Sequence, residues 1–144
     1  MTALGLDVGD RRIGVAVSDP TGLVARPLTV FVRTSNQAAA ATIGQIADQN
    51  EADVIVVGVP FSGDEQIGLQ AQKTLAFVRY LRAHLSRRVE TWDERFTTVE
   101  AQREMIELGI RRSRRKELLD AAAAAIILDE WLAAHRPGVA PPPA

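Results

Sequence analysis

The stretch ALGLDVGDRRIGVAVS, residues 3–18, decides the fold. Leu4, Leu6 and Val8 alternate with Ala3, Gly5 and Asp7. Beyond Gly9-Asp10-Arg11-Arg12, Ile13, Val15 and Val17 alternate in the same way with Gly14, Ala16 and Ser18. A period of two puts the large residues on one face of a strand and the small ones on the other. Two such strands across a short polar turn make an antiparallel hairpin. One face of this hairpin is deep and apolar; the other is shallow and carries an aspartate.

Outward from the hairpin, Asp19-Pro20-Thr21-Gly22 makes a second turn and Leu28–Val32 a third strand, with Pro27 at its start, where a missing N–H does least harm. The period then changes. Ser35 or Asn36 can cap a helix running to about Asn50, with Ile43, Ile46 and Ala47 on its apolar stripe. Asp53–Pro60 is a Val/Ile run without polar alternation, as expected of a strand covered on both faces. Next comes a helix ending near Arg88, with Ala71, Leu75, Val78, Leu81 and Leu85 inward, and then a short strand, Val89–Asp93. Thr97-Thr98-Val99-Glu100 has capping-box spacing and starts a helix that Gly109 can end. The last helix runs from Glu117 to about His135. The order β-β-β-α-β-α-β-α-α implies an α/β fold, a mixed five-stranded sheet with helices on its faces. Residues 1–136 read as one domain, and the proline-rich residues 137–144 as a disordered tail.

Composition narrows the chemistry. In 144 residues there is no cysteine, which excludes a disulfide framework, thiolate metal sites and cysteine catalysis. No apolar run approaches the roughly 20 residues of a membrane span, and no signal peptide is expected, since the first residues lack its charged start and small-residue cleavage site. A cytoplasmic protein is expected. The net charge of −1 hides an asymmetry: residues 1–78 carry −3 and residues 79–144 carry +2. Arg111, Arg112, Arg114, Arg115 and Lys116 put five bases in six residues, either a solvated loop or a phosphate-binding patch.

Three carboxylates stand where structure alone would not put them. Asp7 interrupts an apolar strand, and aspartate is depleted in strands. Glu94 ends the fifth strand, at the carboxyl edge where open α/β sheets bind ligands. Asp120 shares a helix face with Ala123, Ala124 and Ile127, a face that should be buried. The shallow hairpin face and the alanine run Ala121–Ala125 allow close approach, which would bring Asp120 towards Asp7. Gathered carboxylates repel unless a cation neutralises them, and oxygen-only ligands select Mg²⁺ or Mn²⁺. His84 and His135 read as surface residues. Hard cations held by acids beside arginines suit phosphodiester hydrolysis. The basic run is expected to grip phosphates flanking the scissile bond, with Arg12 and Arg95 nearer to it.

Leu6-Asp7-Val8-Gly9 with Arg12-Ile13-Gly14-Val15-Ala16, Val57-Gly58-Val59-Pro60, Asp93-Glu94-Arg95-Phe96-Thr97-Thr98 and Leu119-Asp120-Ala121-Ala122-Ala123-Ala124 together resemble the YqgF/RuvX family. The resemblance spans residues 4 to about 132; the loop Phe61–Gln66 follows the family pattern only loosely. It implies an RNase H-like fold related to RuvC and a metal-dependent nuclease whose acids match Asp7, Glu94 and Asp120. It also implies trimming of the 5′ end of precursor 16S rRNA, or resolution of four-way DNA junctions. Symmetric junction cleavage needs two active sites, hence a homodimer, and no stretch reads as a dimer face. Two other classes compete. Asp7-Val8-Gly9 is similar to the first phosphate loop of the actin and sugar-kinase ATPases, which close two such domains around ATP. A non-catalytic RNA-binding ribosome-assembly module would need the arginines but not the acids.

Overall fold

The computed structural model describes residues 1–60, 68–93 and 115–136, with side chains in the last segment described from Leu119. Among the described residues five strands form one sheet: β1 (Ala3–Val8), β2 (Arg12–Ser18), β3 (Ala25–Val32), β4 (Val54–Val59) and β5 (Arg88–Asp93). Helix α1 (Asn36–Gln49) precedes β4, α2 (Leu69–His84) precedes β5, and α3 (Arg115–Ala134) follows. The strand order is β3-β2-β1-β4-β5. β1–β2 and β2–β3 pair antiparallel, while β1–β4 and β4–β5 pair parallel. The expected mixed sheet is present. The helix expected from Thr97 and the tail 137–144 lie outside the described residues.

The two-sided hairpin sorts the core into two layers. Leu4, Leu6, Val8, Ile13, Val15 and Val17 pack under α1 and α2, against Ile43, Ala47, Phe77, Val78 and Leu81. Ala3 and Ala16 join Val54, Val56 and α3 on the opposite face, against Ala124, Ile127, Leu128 and Trp131. All six β4 residues are buried, as expected of a strand covered on both sides. Small residues decide how α3 sits. A Cβ on Gly5 would lie 2.8 Å from the Ala124 carbonyl oxygen and from Leu128 Cβ. A Cβ on Gly14 would come closer still to the Asp120 carbonyl group and would lie 2.8 Å from Ala121 N. Towards its far end α3 carries Trp131 and Leu132, both almost wholly buried.

Three local readings need correction. β3 begins at Ala25, not Leu28. Asp129 Oδ1 of α3 accepts from Ala25 N at 2.7 Å, a partner far away in sequence. Pro27 therefore lies inside β3, an edge strand where a missing donor is tolerated, and a register shift sits beside it between Val15 and Ala16. Helix α2 ends at His84 rather than near Arg88, because Arg88 is already paired with Val54 in the sheet. Its buried side is Ala71, Thr74, Phe77, Val78 and Leu81; Leu75 is only half-buried and Leu85 is the C-cap. Ser35 caps α1 as expected, its hydroxyl accepting from Ala38 N at 3.0 Å.

Candidate active site at the carboxyl ends of the parallel strands

β1, β4 and β5 run parallel, so their carboxyl ends share one edge of the sheet. Asp7 lies at that edge on the α3 face, directly across from Gly14 on β2. Without a side chain at Gly14, the backbone at Asp120 and Ala121 can press against the strand beside Asp7. Thus two acids 113 positions apart in the sequence come into electrostatic contact. Burial first, and the Asp120 charge second, push the Asp7 carboxyl from its ordinary 3.8 up to about 7. A carboxylate cluster that resists full ionisation on its own is suited to a cation.

Arg12, at the start of β2, reaches Asp120: Nε donates to Oδ2 at 3.4 Å. Their side chains are 34% and 29% exposed. The turn between Asp7 and Arg12 is tied down from the other side. Gly9 N donates to Arg12 O at 2.9 Å. Arg33 Nη1 donates to Gly9 O at 3.1 Å, and its guanidinium lies 4.6 Å from the centre of the Phe77 ring. Lys73 Nζ stands 3.8 Å from Asp10 Oδ1. Arg33 and Lys73 were not among the expected site residues. For Arg33 a signal existed: it directly follows β3, whose antiparallel pairing with β2 sets Val32 opposite Arg12 and returns the next residue to the turn. For Lys73, on α2, the sequence offered none.

Of the expected site residues, the structure brings Asp7, Asp120 and Arg12 together. Glu94 and Arg95 follow Asp93, the end of β5, and lie outside the described residues, as do Arg111, Arg112 and Arg114. Arg115 and Lys116 belong to the first turn of α3, with side chains outside the description. Among the described residues there is no cluster of three or more His, Cys, Asp or Glu. Both histidines are exposed, as expected: His84 stacks on Tyr80 and His135 on Trp131. Among the described residues no helix is long and apolar enough to cross a membrane. Two concavities, one beside Trp131 and one between β3 and α1, are lined by neither Asp7, Arg12 nor Asp120.

A family model described as "RuvX: Holliday junction resolvase" matches residues 1–134. The chain is 45% identical over 133 residues to a Thermoanaerobacter pseudethanolicus protein named "Putative pre-16S rRNA nuclease", covering 92% of this chain and 96% of that one. A Myxococcus xanthus protein of the same name is 42% identical over 137 residues, covering 95% and 91%. Among solved structures, T. thermophilus RuvC in complex with Holliday junction substrate matches with a TM-score of 0.55 at 18% identity, covering 92% of this chain and 93% of that one. The fowlpox virus Holliday junction resolvase matches at 0.54 and 11%, covering 92% and 99%. At such identities these structures share the fold, the RNase H-like α/β arrangement of the RuvC resolvases.

Proposed function

The chain belongs to the RuvX family, and from that membership and the paired acids we propose that it is a divalent-metal-dependent endonuclease acting on structured nucleic acid. The observation that carries this reading is Asp7: a half-buried strand carboxyl, held beside Asp120 and pushed up to about 7. Asp7, Glu94 and Asp120 would hold Mg²⁺ or Mn²⁺, since their donors are all carboxylate oxygens. When bound, such an ion activates a water and stabilises the leaving oxygen of a phosphodiester.

The chain's own residues supply the rest. Gly14 sets Asp120 beside Asp7, and the Arg33-braced turn fixes the end of β1. Arg12 and Arg95, with the run Arg111, Arg112, Arg114, Arg115 and Lys116, would draw in the phosphate backbone and hold it across the acids. Precursor 16S rRNA, in the cytoplasm, is the substrate favoured by the names of relatives that match the chain almost end to end. The family's description favours a second reading, cleavage of four-way DNA junctions by two copies acting together.

Side-by-side cleavage assays test the choice, using precursor 16S rRNA and a four-way DNA junction with Mg²⁺ or Mn²⁺. Metal-dependent cutting of the rRNA that is lost in Asp7→Asn is the expected result. Cutting of the junction alone would select the second reading. Nucleic-acid binding that Asp7→Asn leaves untouched, with no cleavage of either substrate, would refute the enzyme and leave a binding module.

A further inference from the structure

Arg12 was expected to face phosphate, yet it is engaged with Asp120. We propose that Arg12 is an exchangeable counter-cation: it neutralises Asp120 while the acids hold no metal, and turns to the nucleic-acid backbone once they do. This rests on the reading of Asp7 and Asp120 as metal ligands and adds to it a link between metal and substrate.

The geometry is that of a pair made to separate. An Nε–Oδ2 distance of 3.4 Å is well beyond the roughly 2.7–2.9 Å of a strong charge-assisted hydrogen bond. Both side chains are about one-third exposed, so water competes for each partner and the contact holds little energy. A divalent cation carries twice the charge of a guanidinium and bonds carboxylate oxygen directly, so Asp120 gains by the exchange. Arg12 also stands at the right place to be reused. It opens β2 beside the turn that follows Asp7, and Gly9 N fixes its carbonyl at 2.9 Å, so its backbone stays put while the side chain swings. A planar, permanently charged fork is well matched to phosphate.

Thermodynamic linkage makes the idea measurable. If metal frees Arg12, metal must raise affinity for nucleic acid, and nucleic acid must raise affinity for metal by the same factor. The experiment compares the full-length wild-type chain with Arg12→Gln. Calorimetry reads Ca²⁺ affinity, and fluorescence anisotropy reads binding of labelled precursor rRNA with Ca²⁺ or with EDTA. In Arg12→Gln, Ca²⁺ should bind up to about 5-fold more tightly without nucleic acid, because its competitor is gone. The variant should bind RNA as the wild type does in EDTA, but more weakly than the wild type in Ca²⁺. The wild-type logarithmic salt slope in Ca²⁺ should be steeper than the variant's by about 0.7–0.9, and the two slopes should agree in EDTA. Equal weakening with and without Ca²⁺ would overturn the exchange, leaving Arg12 a constant phosphate contact. Unchanged Ca²⁺ and RNA affinities would make it a strand-end residue only. Asp7→Asn separates the two levels. If it leaves Ca²⁺ affinity intact, the metal-site reading itself falls. If it abolishes Ca²⁺ binding while Arg12→Gln does nothing, only the exchange falls.

Discussion

Gly14→Ala is the sharpest test of how the acids are brought together. A Cβ at residue 14 would lie 2.8 Å from Ala121 N and nearer still to the carbonyl group of Asp120. These atoms are helix backbone, so no change of rotamer makes room. Restoring even the Ala121 N contact to an ordinary 3.4 Å requires α3 to retreat by at least about 0.6 Å, and clearing the Asp120 carbonyl requires more. Overpacking of this kind costs about 1–3 kcal/mol. For a chain of this length that is a fall in Tm of about 2–12 °C. The retreat also carries Asp120 away from Asp7, and a misplacement of about 1 Å can cost about 100-fold in rate. Gly5→Ala is the control. It meets Ala124 and Leu128 instead, one turn and more along α3, and should lose similar stability with a smaller loss of cleavage. Urea unfolding and single-turnover cleavage of precursor rRNA, run in parallel, read both effects. A Gly14→Ala variant with wild-type stability and activity would refute the close-approach account.

Three further outcomes are expected. Because the folded Asp7 carboxyl is raised to about 7 from 3.8, ionising it costs stability: its contribution is intact below about pH 4 and is lost as pH rises through about 7. The full shift corresponds to about 4 kcal/mol, reduced by solvent at this partly exposed edge to about 1–2 kcal/mol. Asp7→Asn, compared with wild type by urea unfolding in EDTA at pH 5 and pH 8, should therefore gain relative stability at pH 8, and parallel pH curves would refute this. Replacing Arg111, Arg112, Arg114 and Arg115 with alanine should flatten the logarithmic salt dependence of RNA binding by about 0.7–0.9 per lost phosphate contact, while an unchanged slope would make the run a solvated loop. Gly44→Ala, inside α1, places its Cβ 3.4 Å from Leu85 Cδ2, an acceptable contact, and should add about 0.5–1 kcal/mol by thermal melting.

What could be read from the sequence follows the range of the signal. The alternation in Leu4–Val8 and Ile13–Val17 is local, and it foretold both the hairpin and its two unequal faces. The close approach of α3 was also legible, because Gly5, Gly14 and the alanine run show where bulk is missing. The inner stripe of α2 was misjudged because burial was assigned by hydrophobicity alone. Thr74 can be buried since its hydroxyl donates to Gln70 O at 2.9 Å, within its own helix. The early start of β3 depends on Asp129, and the engagement of Arg12 on Asp120 spans 108 positions. No local pattern encodes such a meeting. Asp7 stood out because a strand aspartate conflicts with local preference, and such conflicts mark sites.

The placement of α3 also sets the order in which the molecule becomes competent. Asp7, Gly14 and all the described strands of the sheet are made before residue 94, whereas Asp120 arrives later, on α3. During synthesis β1–β5 can pair and bury Leu4, Leu6 and Val15 under α1 and α2. On the other face, Ala3, Ala16, Val54 and Val56 gain their packing against Ala124, Ile127, Leu128 and Trp131 only when α3 emerges. A growing chain thus holds Asp7 before Asp120 can be set beside it. Under the proposed chemistry, the set of three acids is complete only once Asp120 has been made.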